Sequence, residues 1–278
     1  MTALYLPTDA SRGVGILVTP GADTGSWLSK ARAYQEKAES TVQISLSVDD
    51  ALMMDVDDWL VVLTDTSEAR PEFRANQTRD LSRLFSRSAE RGGVCHILGE
   101  GQTSGAVKAA TDALLQGVRT TRRPVSEAVQ ALALFDVSKP LTLIPFGLLR
   151  LNEKRLLVDH VFPAFDLSGR PDVLAWGPHM MLPSGRWRLS IGFEVDRVAA
   201  AQSLAFEWGD LEGHERHEVS LGRAGRYDFA VDRVWTSPAV AEFRVSAAHA
   251  VFAGRIRLIS VAIGRTPTSD AQAALNQL

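Results

Sequence analysis

WRLSIGFEV (187–195), SLAFEWG (203–209), HEVSLG (217–222), RYDFAV (226–231), AEFRVSA (241–247) and RIRLISVAIG (255–264) follow one another in the last third of this chain. Each alternates apolar and polar residues, the period of a strand with one buried face. Gly, Asp, Ser and Pro separate them. A run of short alternating segments with turn residues between them is the rhythm of sandwiches and jelly rolls. It predicts an antiparallel β-sandwich, jelly-roll-like, over residues 173–266, with a polar tail at 267–278.

Upstream the texture changes. GVGILVTP (13–20), TVQISLSV (41–48), WLVVLTD (59–65) and GVCHILG (93–99) read as strands. Between and after them, SWLSKARAYQEKAES, residues 72–91 and SGAVKAATDALLQGV (104–118) carry apolar residues at helical spacing. Strands alternating with helices predict an α/β domain over residues 1–138, with parallel pairing through long crossovers. The acidic stretch after residue 48 reads as a turn. Prolines 140, 145, 163 and 171 break residues 139–172 into short extended pieces, a connector. Within it LLRLNEKRLLV suggests a hairpin turning at Asn152–Lys154.

At 278 residues two domains are the default, and 45% hydrophobic and 23% charged residues fit globular cores. A net charge of -3 and a pI of about 6.1 argue against a nucleic-acid partner, which would need a basic face. No apolar run approaches the ~20 residues of a membrane-spanning helix, so no membrane insertion is expected. MTALYLPTDASRG at the start has neither the basic nor the apolar region of a signal peptide, which points to cytoplasmic synthesis. The one cysteine, Cys95, sits in an apolar strand and reads as a packed small hydrophobe.

Trp176-Gly-Pro-His-Met-Met-Leu-Pro-Ser-Gly-Arg-Trp187-Arg joins a turn signal to a strand with Arg186 and Arg188 on one face. Ala241-Glu-Phe-Arg-Val245 alternates near the end. This layout resembles the carbohydrate-binding-type β-sandwich domains attached to bacterial glycosyltransferases and other polysaccharide-related proteins. The resemblance covers the C-terminal third alone and implies a glycan or polysaccharide partner.

Four of the six tryptophans, Trp176, Trp187, Trp208 and Trp235, fall in or beside the sandwich. Exposed, they would stack on the apolar faces of sugar rings; buried, they would be core. Trp235, in DRVWTSPAV, is expected in a loop and exposed, as the platform of a site. Arg186, Arg188 and Arg244 are its expected donors, because a guanidinium fork matches hydroxyls and the carboxylates of acidic polysaccharides. The alternative for each arginine is a cross-strand pair with Glu194, Glu207 or Glu242.

Other motifs carry less. His214 and His217, three apart in GHERHE, read as a solvated turn rather than a metal site. Asp55-Val-Asp57, amid Asp49, Asp50 and Asp58, precedes its strand and reads as a solvated loop. Gly99-Glu-Gly101-Gln-Thr-Ser-Gly105 could seat a phosphate at a helix start, but it lacks the lysine of a phosphate-binding loop. No catalytic residue, metal or cofactor is assigned. The expectation is a non-catalytic glycan-recognition protein, able to act as a homo- or hetero-oligomer, in polysaccharide assembly or on a phage-like particle released by lysis. The alternatives are a sugar transferase using the N-terminal domain, or a purely structural subunit.

Overall fold

The structure is a computed structural model that describes residues 13–38, 41–64, 70–100, 105–116, 126–136, 139–157 and 162–266. The chain divides into two compact units. One comprises Met1–Arg70 and Arg83–Arg123; the other comprises Pro71–Ser82 and Pro124–Leu278.

The first unit is built on β1 (Val14–Val18), β2 (Val42–Ser45), β3 (Asp58–Val62) and β4 (Cys95–Ile97). They form a parallel sheet in the order β2-β1-β3-β4. Every residue of the central β1 is buried, as expected of a parallel strand covered on both faces. The helices are α1 (Thr24–Gln35), α2 (Val48–Met53), α3 (Pro71–Glu90) and α4 (Gly105–Leu115). Ala31 of α1 and Val107, Ala110 and Leu114 of α4 pack with Val14, Ile16, Val18, Leu60 and Val62 on one face of the sheet. On the other face Gly15 leaves room for the Trp59 ring, which a Cβ there would strike. The acidic stretch expected as a turn is helical instead. Ser47 Oγ accepts from Asp50 N at 3.0 Å, and Asp49 and Asp50 fill the first turn of α2, where the helix dipole favours negative charge.

The second unit holds α5 (Glu127–Leu132) and two antiparallel sheets. Sheet I has the order β13-β10-β15-β8-β7, with β5 also on β15. Its strands are β5 (Thr142–Leu143), β7 (Leu156–Leu157), β8 (Ala164–Asp166), β10 (Gly185–Val195), β13 (Gly225–Trp235) and β15 (Arg255–Arg265). Sheet II has the order β12-β11-β14-β9-β6. It comprises β6 (Arg150–Leu151), β9 (Val173–Leu182), β11 (Ser203–Asp210), β12 (Gly213–Ser220) and β14 (Ala239–Ala247).

The sheets pack face to face as a sandwich. Trp187, Leu189, Ile191 and Phe193 of β10 point inward, as do Leu204, Phe206 and Trp208 of β11 and Phe243 and Val245 of β14. Each such side chain stabilises the fold by about 1.5–3 kcal/mol through burial. Aromatic contacts join the sheets: Phe193 and Phe206 centroids lie 5.1 Å apart, Phe206 and Phe229 4.5 Å, Trp208 and Trp235 5.2 Å.

Residues 139–172 do not stand apart as a connector. They supply β5 to β8, which pair into the two sheets. The expected hairpin does not close, because β6 pairs with β9 and β7 with β8. The Asn152 turn therefore carries the chain from one sheet to the other, held by Asn152 Nδ2 donating to Asp172 Oδ2 (2.8 Å) and Val173 O (2.9 Å).

Candidate functional site

The outer face of sheet II is organised by a bulge in β9. Pro178 lies opposite Glu242 and Met180 opposite Ala241, so His179 is the extra residue between them. Gly177 has φ 132°, the Gly177–Pro178 peptide is cis, and His179 has φ 60°. Among the described residues His179 is the one non-glycine in the left-handed region, which costs a side chain of this kind roughly 1–2 kcal/mol. A bulge turns a side chain away from the regular alternation. Here it brings His179 Nδ1 to 3.3 Å from Glu242 Oε2.

Glu242 is 5% exposed, so its carboxylate depends on its neighbours. Arg244 Nε donates to Oε1 at 2.7 Å. From β12, two strands away, His214 Nε2 reaches within 4.0 Å of the same oxygen. Gly209 stands between them in register and has no side chain to intervene. A Cβ there would run into the Gly213 carbonyl. Burial pushes both imidazoles below their usual range, and Arg244 acts in the same direction on each; Glu242 pulls the other way. Near neutral pH the cation on Glu242 is therefore Arg244.

The next row across the face reads Arg216, Glu207, Arg244, Trp176 and Arg150, one residue from each of β12, β11, β14, β9 and β6 in direct register. Arg216 Nη1 donates to Glu207 at 2.8 Å and Nη2 to Glu218 at 3.1 Å. Arg244 Nη1 lies 3.8 Å from Glu207. Trp176 is partly exposed, whereas Trp187, Trp208 and Trp235 are buried. Arg79, from the part of α3 that belongs to this unit, borders the row. Its Nε donates to Pro178 O at 2.9 Å and its Nη2 to Leu148 O at 3.1 Å. One α3 turn on, Ser82 Oγ accepts from Met181 N at 2.8 Å.

No family model and no curated protein matches this chain. Among the solved structures it is similar to are several carbohydrate-binding modules. One is TmCBM61 in complex with beta-1,4-galactotriose: 10% identity, 46% of this chain and 83% of that one, TM-score 0.31. Another is the xylan-binding module CBM15, at 10% identity over 46% and 98% of the two chains, TM-score 0.34. A third is a Family 16 Carbohydrate Binding Module-2, at 12% identity over 46% and 87%, TM-score 0.26.

The four residues expected to form a site do not meet. Trp235 is 6% exposed, and its indole N–H donates to Asp210 at 2.5 Å. It ends β13 with its ring turned inward on Trp208, so it offers no platform. Arg186 and Arg188 lie on the outer face of sheet I, both on Asp232: Arg188 Nε at 2.6 Å and Nη2 at 3.1 Å, Arg186 Nη2 at 3.0 Å. This is a cross-strand pairing of the alternative kind, but with Asp232 in place of a glutamate. Arg244 does face the site, paired across strands with Glu207 as that alternative has it, and with Glu242 on its own strand. His214 and His217 lie in a strand, not a turn, and an odd spacing there sends them to opposite faces. His217 turns inward on Phe229, ring centroids 5.6 Å apart. Among the described residues no group of three or more His, Cys, Asp or Glu is arranged to hold a metal ion.

In the first unit the Asp-Val-Asp carboxylates are spoken for. Arg91 donates to Asp55 at 2.6 Å and also pairs with Asp57; Arg83 takes Asp49 at 2.8 Å. The hydrogen bond from Arg91 holds Asp55 below the usual carboxylate range. Cys95 is partly exposed as a residue, but its Sγ lies 3.9 Å from Leu84 O beneath α3. Desolvation pushes the thiol up to about 12. The 99–105 loop largely lies outside the described residues, Gly101 included.

Sequence reasoning missed Trp176, Arg150, Arg216, Glu207, Glu242 and His179 as members of one face. Glu207 and Arg244 each occupy the outward phase of an alternating segment, which was the available signal. Nothing in the sequence said that the two strands are neighbours.

Proposed function

We propose that the chain joins an α/β unit to a jelly-roll-like sandwich that recognises a glycan, without catalysis, through the outer face of sheet II. One observation carries the reading. The partly exposed sandwich tryptophan, Trp176, lies in a row with Arg150, Arg244, Glu207 and Arg216 on neighbouring strands. An indole face stacks on the C–H face of a sugar, while guanidinium and carboxylate groups beside it donate to and accept from hydroxyls. Such a face suits a ligand that is apolar above and below and polar at its rim. Polysaccharide assembly or a phage-like particle is the setting proposed for it.

A glycan array probed with the whole protein tests this, followed by Trp176→Ala. Binding that disappears in the variant while its melting temperature holds supports the reading. Binding unaffected by the substitution, or no binding to any glycan, refutes it.

A further inference from the structure

Resting on that reading, we propose that the sugar this face takes is acidic, with a uronate carboxylate seated by Arg150 and Arg244 on either side of the Trp176 ring. Arg150 and Arg244 are the direct register partners of Trp176 on its two flanking strands. Direct partners in an antiparallel ladder have Cα atoms about 4.5–5.5 Å apart and side chains on the same face. The ring is therefore straddled by two guanidiniums. Arg244 spends its Nε on Glu242. The Arg150 side chain is exposed and makes no hydrogen bond or ion pair among the described residues, which leaves its whole fork available.

The charge is unevenly distributed along the row. Glu207 and Glu218 are taken by Arg216, and Glu242 is buried under Arg244. All three carboxylates lie on the β12–β14 side of Trp176. On the β6 side stand Arg150 and Arg79; burial first, and then the charge of Arg150, disfavours the charged form of Arg79, with Asp80 as the opposing influence. Arg79, Arg150 and Arg244 also all act on His179 with the same sign. Guanidiniums on both sides of one ring, with a third beyond, favour an anion beside it, and a planar carboxylate matches the fork of Arg150 in two parallel hydrogen bonds. A neutral sugar would leave that end of the face uncompensated.

The test is calorimetric titration of the whole protein with a galacturonate oligomer, a neutral galactose oligomer of the same length, and a sulfated neutral oligomer. The expected result is tightest binding to the galacturonate, weakened by salt. Arg150→Ala should weaken it by about tenfold or more, the loss expected for one charge-assisted contact. Arg226→Ala, on the outer face of sheet I, removes the same charge and should leave binding within about twofold of the original. Equal affinity for the neutral oligomer sinks the acidic-sugar proposal and leaves glycan recognition standing. No binding to any of the three sinks both. Preference for the sulfated oligomer, equal loss in the Arg226 variant, or equal binding of a single-stranded oligonucleotide each overturns the carboxylate assignment.

Discussion

His179 Nδ1 lies 3.3 Å from Glu242 Oε2, and the residue that makes this contact is the one that β9 inserts beyond its pairing with β14. Burial, with Arg79, Arg150 and Arg244, outweighs the pull of Glu242 and holds the imidazole below its usual range. His214, on the other side of the carboxylate, is shifted the same way.

A pH dependence follows from these two histidines. A histidine whose folded pKa is depressed binds fewer protons folded than unfolded, so acidification favours the unfolded chain. Their contribution is fully present above the unfolded value of about 6.5 and declines as pH falls through that value towards the folded one. The melting temperature should fall between pH 7 and pH 5, and His179→Gln should fall less. A wild-type melt flat over this range, or a variant as steep as the wild type, contradicts the assignment.

Trp235 is structural. Burial works against the Asp210 carboxylate. The Trp235 indole N–H, the Glu212 and Gly213 amides and Arg233 outweigh it and hold the group below its usual range. Trp235→Phe keeps a ring but leaves Asp210 Oδ2 without its indole donor, costing about 1–3 kcal/mol. Trp235→Ala should cost about 3–5 kcal/mol by leaving a cavity against Trp208. Denaturant melts read both. Glycan affinity measured where the variants remain folded should be unchanged; a selective loss of affinity would return Trp235 to the site.

Arg186 and Arg188 share Asp232 on the outer face of sheet I. Both arginines are about half exposed, so solvent screens the pairs and each contributes only about 0–1 kcal/mol. Arg186→Ala and Arg188→Ala should each melt within a few degrees of the wild type and bind glycan as before. Loss of binding in either would move the site to the opposite sheet.

Cys95 should be inert. With its thiol pushed up to about 12 by burial, almost no thiolate exists at pH 8. Labelling by dithionitrobenzoate should be slow in buffer and rapid once denaturant unfolds the first unit. Rapid labelling of the native protein would mean that the strand beneath α3 opens.

The sequence by itself marked most of the longer strands and helices, because the periods of 2 and 3.6 are local properties of hydrophobic burial; it misread short polar elements such as α2 and the start of β12 as turns. WRLSIGFEV and AEFRVSA show their buried and outer phases without reference to any partner. It also placed Arg244 and Glu207 on outward phases. What it left open was which strand lies beside which, and that is a long-range matter. Arg150, Trp176 and Arg244 are far apart in the chain, and only the order β14-β9-β6 makes them a row. Trp235 went the other way: its sequence surroundings look like a loop, but pairing with Gly185 carries β13 on to that residue. Its ring then turns into the sandwich, where Asp210 can take its N–H. Even the phase of β9 escaped the local pattern. The bulge at Gly177–His179 shifts the alternation by one residue, and the tertiary contact with Glu242 gives that shift its effect.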